Sequence, residues 1–278
     1  MEKNFLLDVG ITNEKVNDIL QYIVTGLQKP QKPYYVVTPN PEFLVYATHH
    51  PEFRTILNQA RLALPDGVGV LWAGKILGKT FKQRITGADF MELLCKEVVE
   101  KPITVGFLGG GPKVAEKTAE CLKAKYPSLK VVFTGQEWPK STIRHSGEGA
   151  SSDRLQNLKR TDPSLARMTN GGSSNDKNKL PATIDILFVA YGAPKQEEWM
   201  AQHVGKIPVK VFMGVGGSFD YISGNVSRAP KFLRSIGLEW LYRLLMQPWR
   251  IKRQLALLEF IYLVLKQRLS LQGLTLRG

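Results

Sequence analysis

Two cysteines among 278 residues, Cys95 and Cys121, are too few and too far apart for a disulfide framework or a cysteine metal cluster. Both fall in helix-like stretches, which suits a reducing, cytoplasmic interior. Acidic residues are scarce as well: 24 Asp and Glu stand against 38 Lys and Arg, a formal charge of +14. That excess asks for an anionic partner, whether nucleic acid, a phosphorylated small molecule or the anionic face of a membrane. No run reaches the roughly 18 apolar residues of a membrane-spanning helix. The nearest approach, residues 255–265, is short and carries Glu259. The first twenty residues lack a basic stretch followed by an apolar one, so they do not read as a secretory signal. Also missing are a D-x-D carboxylate pair, a complete G-x-G-x-x-G fingerprint and the G-x-x-x-x-G-K-[ST] loop. A dinucleotide-dependent oxidoreductase is therefore poorly supported. A basic nucleic-acid-binding protein, suggested by charge, lacks a helix-turn-helix, zinc or RNP-type pattern.

What is present is enough apolar material, 43% of residues, for a sizeable core. Short apolar runs alternate with helix-like stretches, the pattern of an α/β, Rossmann-like fold: a mostly parallel sheet with helices on both faces. Val16, Ile19, Leu20 and Ile23 recur at helical spacing, and YYVVTPN at 34–40 reads as a buried strand ending in Thr38 and Asn40. Open α/β sheets bind ligands at such strand ends, although Thr and Asn there also serve as caps for the next helix. Residues 42–60 read as one helix. A short strand at 62–64 is followed by the Pro65-Asp66-Gly67 turn and a helix over 68–76, so Asp66 joins Thr38 and Asn40 at a strand end. Asp is equally an ordinary turn and cap residue. Arg84 and Thr86 precede a helix with Asp89 in its first turn, and Arg84 is either a surface cation or a contact for an anion in the cleft.

The second half restarts with a strand at 103–108, then Gly109, Gly110 and Gly111, then a helix ending near Tyr126. Glycines let backbone N–H groups approach a phosphate at the following helix N-terminus, yet GGGP is also simply a tight turn. A strand over 129–135 follows. From about 139 to 181 the chain is Ser, Gly, Asn, Lys and Arg, too poor in apolar groups to offset its ordering entropy. It reads as a dispensable surface insertion with one short helix at 153–160. Order returns with a buried strand at 184–189, a turn through Pro194 and a helix over 195–203 opened by Lys195 and Gln196. These two can hold the polar end of a nucleotide or sugar, or form a solvated first turn.

Residues 211–253 organise the remainder: a strand, a bend with Gly216, then Asp220, then a basic tail. From Arg228 onward there are ten basic and two acidic residues. Phe232, Ile236, Trp240 and Leu244 recur every four positions, giving a helix an apolar face with Arg234 and Arg243 off it. Arg250, Lys252 and Arg253 cluster beside Trp249. A basic amphipathic helix with Trp suits a membrane interface, and equally a packing helix or the contact of a homo-oligomer. The chain thus divides into an α/β catalytic core, 1–227, containing the insertion, and a C-terminal helical, membrane-associating appendage, 228–278.

Taken together, VTPNPEF (37–43), LPDGVGV (64–70), RITGADF (84–90), FLGGG (107–111), DILFVAYGAPKQEEW (185–199) and VGGSFDYISG with RAPKFLRSIGLEWLYRLLMQPWRIKRQ (215–254) resemble the WecG/TagA/CpsF glycosyltransferases. Their order and spacing match over nearly the whole chain except 139–181. The resemblance implies an inverting transferase on the cytoplasmic face of the membrane, peripheral and independent of metal or other cofactor. It implies a UDP-sugar donor of the N-acetylmannosamine type and an N-acetylglucosamine acceptor on undecaprenyl diphosphate, as in teichoic acid or other surface polysaccharide synthesis, and no nucleic acid partner. By motif, Asp66 is then the general base, with Thr38 and Asn40 beside it. Arg84 and Gln196 line the pocket, and Arg228, Arg234, Arg243, Arg250 and Arg253 face a diphosphate. Gly109, Gly110, Gly111, Lys195, Gly216 and Asp220 complete the expected substrate contacts.

Overall fold

The computed structural model describes residues 1–139, 183–235, 237–246 and 251–275. The expected helix at 153–160 and Arg250 lie outside them. An N-terminal hairpin of β1 (Lys3–Leu6) and β2 (Val9–Thr12) precedes α1 (Val16–Leu27), β3 (Tyr34–Val37), α2 (Pro41–His49), α3 (Pro51–Gln59), β4 (Leu62–Ala63) and α4 (Val68–Ile76). Next come α5 (Gly87–Val98), β5 (Thr104–Gly109), α6 (Val114–Lys125) and β6 (Lys130–Gly135). After the insertion the described chain continues with β7 (Ile184–Ala190), α7 (Lys195–His203), β8 (Val209–Gly214), α8 (Ser218–Ile222), α9 (Lys231–Ser235), α10 (Glu239–Met246) and α11 (Ile251–Thr275).

Six strands form one sheet in the order β4-β3-β8-β7-β5-β6, every neighbouring pair parallel. The Rossmann-like α/β expectation holds. Side chains alternate along each strand, so consecutive residues feed opposite layers. Val36, Val105, Phe107, Ile186, Phe188, Val211 and Met213 join one core with α1, α5, α6 and Phe219 of α8. Tyr35, Val37, Leu108, Leu187, Val189 and Phe212 join a second with the hairpin, α2, α3, α4 and Met200 of α7. A strand covered on both faces does not alternate apolar with polar, and β7 is buried at all seven residues; its charged residue, Asp185, is paired with Thr104 and Lys210. Because all six strands are parallel, their C-terminal ends share one edge, and Thr38, Asp66, Gly110, Tyr191 and Val215 follow those ends.

Three expectations change. The helix expected over 42–60 is two, α2 and α3, because Pro51 has no N–H to continue the ladder and starts the second helix at its N1 position. The four-residue periodicity from Phe232 to Leu244 does not make one helix. Gly237, at φ +80°, ends α9, with its N–H returning to the Arg234 carbonyl and that of Leu238 to the Leu233 carbonyl. The hairpin strand β1, not anticipated from sequence, pairs with β2 from Lys3–Thr12 to Leu6–Val9.

The last helix is packed rather than free. Phe260 and Val264 are fully buried in the second core, and His49 Nε2 of α2 lies 2.5 Å from Glu259 Oε1. Its other side exposes Leu255, Leu258, Ile261, Tyr262, Leu265 and Leu269. No helix among the described residues is long and apolar enough to cross a membrane.

Candidate active site

At the shared edge, backbone hydrogen bonds stitch the loops after β3 and β4 to the start of α5. Asp66 N–H donates to the Pro39 carbonyl at 3.0 Å, and Ile85 N–H to the Pro65 carbonyl at 2.9 Å. The Asp66 carboxylate, half-buried, faces the Gly87 N–H, with Oδ2 at 3.5 Å. The N-cap position of α4 is taken by Gly67, one residue beyond Asp66. Asn40 does cap, accepting from Phe43 N–H at 3.0 Å. The capping role read from the sequence thus holds for Asn40, beside whatever else that side chain does. Thr38 caps nothing; buried, it points its hydroxyl toward the Gly214 carbonyl of β8 at 3.5 Å, and its methyl lies against Gly87.

Moving along the edge, Gln196 is buried in the first turn of α7. Its Oε1 accepts from Gly216 N–H at 3.0 Å and its Nε2 donates to Glu197 Oε1 at 2.5 Å. Gln196 braces the bend after β8, while Lys195 is exposed. Glu197 has no exposed surface, and its Oε2 has no hydrogen-bond partner. Burial raises its carboxyl from the ordinary 4.5 to about 8, against the hydrogen bond from Gln196 that lowers it. Sequence gave no sign of this, since a Glu in the first turn of a helix ordinarily reads as solvated.

The three glycines that end β5 and follow it all take positive φ, +101°, +81° and +91°. At Gly109 a Cβ would stand 2.9 Å from the Ala190 backbone carbon, and Gly110 packs on Val114 and Phe219. The tight-turn reading accounts for these two. Gly111 alone faces open space. Asp220 sits in α8, half-buried, and accepts through its carbonyl from Val226 N–H.

The arginines converge on Asp89. Arg228 donates to it twice, Nη1 to Oδ1 at 2.6 Å and Nη2 to Oδ2 at 2.9 Å, and Arg234 Nη1 lies 3.4 Å from Oδ1. Arg228 Nε also reaches Glu239 Oε1 at 3.2 Å. Arg84 Nη2 donates to the Arg234 carbonyl at 2.8 Å, so Arg84 touches the tail. Burial pushes the Asp89 carboxyl up, but the hydrogen bonds from Arg228 and Thr86 and the nearby arginine charges hold it below its ordinary value. Neither Asp89 nor Glu239 stands out in the sequence as an arginine partner. The signal for Asp89 was the T-x-x-D spacing from Thr86, which caps α5 and whose hydroxyl lies 2.6 Å from the Asp89 carboxylate. Arg243 lies in α10 and Arg253 in the first turn of α11. Among the described residues no three His, Cys, Asp or Glu side chains group closely enough to hold a metal ion.

A half-buried carboxylate facing the start of α5, with the arginine-bound Asp89 two residues beyond Gly87 on the same helix, suits proton abstraction next to a phosphate-bearing substrate. A family model described as the glycosyl transferase WecG/TagA/CpsF family matches residues 5–166 and 180–273, leaving unmatched between them only 167–179 rather than all of 139–181. A Bacillus spizizenii protein called N-acetylglucosaminyldiphosphoundecaprenol N-acetyl-beta-D-mannosaminyltransferase is 29% identical over 266 residues, covering 96% of this chain and 92% of its own. A Bacillus subtilis protein of the same name is 26% identical over 267 residues, with 96% and 93% covered. One from Staphylococcus aureus strain MW2, again so named, is 30% identical over 236 residues, with 84% and 80% covered.

Proposed function

This chain belongs to the WecG/TagA/CpsF family and is a glycosyltransferase, and from that premise we propose that it moves an N-acetylmannosamine-type sugar from a UDP-sugar to N-acetylglucosaminyl-diphosphoundecaprenol. The observation that carries the reading is the Asp66 carboxylate at the end of β4, beside Thr38 and the arginine cluster, in a chain whose relatives bear the printed transferase name. In a single displacement, Asp66 takes the proton of the acceptor hydroxyl as its oxygen attacks the anomeric carbon, and the bond to UDP breaks from the opposite side with inversion. Negative charge then grows on the departing diphosphate. Guanidinium groups suit it because their planar forks bind phosphate oxygens in pairs, and Arg84 with the tail residues Arg234, Arg243, Arg250 and Arg253 are the candidates.

Transfer from a nucleotide sugar to a lipid-linked acceptor calls for an enzyme that works against a membrane surface, on its cytoplasmic face. The exposed apolar side of α11, with basic residues on the same tail, supports docking there. The test is a donor screen of UDP-sugars with the lipid-diphosphate acceptor, read by UDP release, in wild type and Asp66→Asn. Transfer from UDP-N-acetylmannosamine that disappears in the variant is the expected result. Near-normal transfer by Asp66→Asn would overturn the base assignment.

A further inference from the structure

Arg228 has all three of its guanidinium nitrogens engaged: two on Asp89, at 2.6 and 2.9 Å, and Nε on Glu239 at 3.2 Å. A guanidinium so committed has little left for a substrate phosphate. What it joins is informative. Asp89 belongs to the first turn of α5, in the core, whereas Arg228 precedes α9 and Glu239 opens α10. Asp89 also receives Arg234 of α9, and Arg84 of the core holds the Arg234 carbonyl. Four contacts between core and tail therefore meet within a few residues of Gly87, whose N–H faces Asp66.

We propose that Asp89 and Arg228 form a latch that docks α9 and α10 against the mouth of the Asp66 cleft, making both of them positioning residues rather than substrate ligands. The idea rests on the transfer reading above for its catalytic meaning, but the docking itself does not. Apolar packing holds these two short helices only in part: Gly237 lies against Val68 of α4 and Leu233, Leu238 and Leu241 are half-buried, whereas Leu245 and Met246 of α10 are exposed, at 72% and 60%. Five- and eight-residue helices do not persist alone in water. Their placement must come from specific contacts, and the bidentate Asp89–Arg228 pair is the strongest candidate because charge-assisted, two-point bonds fix orientation as well as distance. The Arg234 side chain, with Nη1 on the rim of Asp89 and a buried Nε lacking a partner, is the one this docking leaves available to move toward an arriving diphosphate.

The experiment compares full-length wild type, Asp89→Asn, Arg228→Gln, the double variant and Asp89→Glu by hydrogen exchange and by steady-state transfer kinetics. Exchange in residues 231–246 should quicken at least tenfold in both single variants, with residues 104–109 unchanged, and the double variant should be no worse than either single one. Transfer kcat should fall at least tenfold in the same variants, and Asp89→Glu, which keeps the charge, should recover most of the loss. Unchanged exchange in 231–246 overturns the latch, whatever happens to activity. So does an additive double variant, since the two residues would then act separately. Absence of transfer by wild type on the lipid-diphosphate acceptor would instead count against the functional reading, leaving the exchange comparison to decide the latch.

Discussion

Asp66 and Glu197 carry the same chemical group into opposite surroundings. Asp66 is half-buried just beyond a strand end, open to a substrate hydroxyl; Asp66→Asn should lower transfer at least a thousandfold, the scale for losing a general base plus its alignment, with an unchanged far-UV spectrum and melting temperature. Glu197 is sealed in the protein and held protonated up to about pH 8. The unfolded chain would ionise it near 4.5, so the folded state is the one that binds the proton more tightly. Stability from this group is therefore complete below pH 4.5 and is lost as pH rises toward 8, by about 1.4 kcal/mol per unit. Urea midpoints at pH 5 and pH 8 should differ more in wild type than in Glu197→Gln, which keeps the amide pairing without the titration. Equal differences would mean that Glu197 is ionised in the fold. Asp66 was legible in sequence because a turn marks a strand end; Glu197 was not, because burial of one helix face depends on which sheet it meets.

Elements here are bounded by local chemistry that reads well from sequence where a single residue forces the outcome. β5, β7 and β8 fall within a residue or two of their apolar runs, and Gly109 at the end of β5 is dictated by packing as much as by conformation. Its φ of +101° disfavours any side chain, and a Cβ would press on the backbone of Ala190. Gly109→Ala should cost about 1–3 kcal/mol in chemical unfolding and widen the β5–β7 edge where the cleft lies. A midpoint within error of wild type would show that the loop relaxes freely. The tail departs from its sequence pattern at this scale. A four-residue apolar period survives in the side chains, but Gly237, whose added Cβ would overlap Val68 at 2.2 Å, turns the chain and splits the helix. Periodicity reports a face, and only the cap decides how far it runs.

For the whole molecule, the helix α11 links the two divisions read from sequence. Phe260 and Val264 lie in the same core as β3 and β8, and Phe260 approaches Gly69 at the start of α4. Phe260→Ala should destabilise the full chain by about 3–5 kcal/mol, as for other buried aromatics, seen as a lowered melting temperature. A change under about 1 kcal/mol would mean that the helix detaches readily and that the tail is an independent unit. The opposite, exposed side makes a different prediction. Leu258→Glu with Leu265→Glu should weaken sedimentation with vesicles containing anionic lipid, and raised salt should weaken it further. Unaltered binding in that variant would move the membrane contact to α9 and α10.

From sequence alone came the fold class, the strand ends that carry Thr38 and Asp66, the family and the polarity of the tail. Each rests on local pattern: apolar runs, glycines after strands and fixed motif spacing. Tertiary structure alone decided that Gln196 braces Gly216, that Glu197 is sealed and protonated, and that Arg228 spends its charge on Asp89. These are contacts between residues 20 to 139 positions apart, or burial by a distant element. A linear pattern specifies which residues are apolar and where the chain turns; it does not specify which charges meet once the sheet has brought its C-terminal ends to one edge.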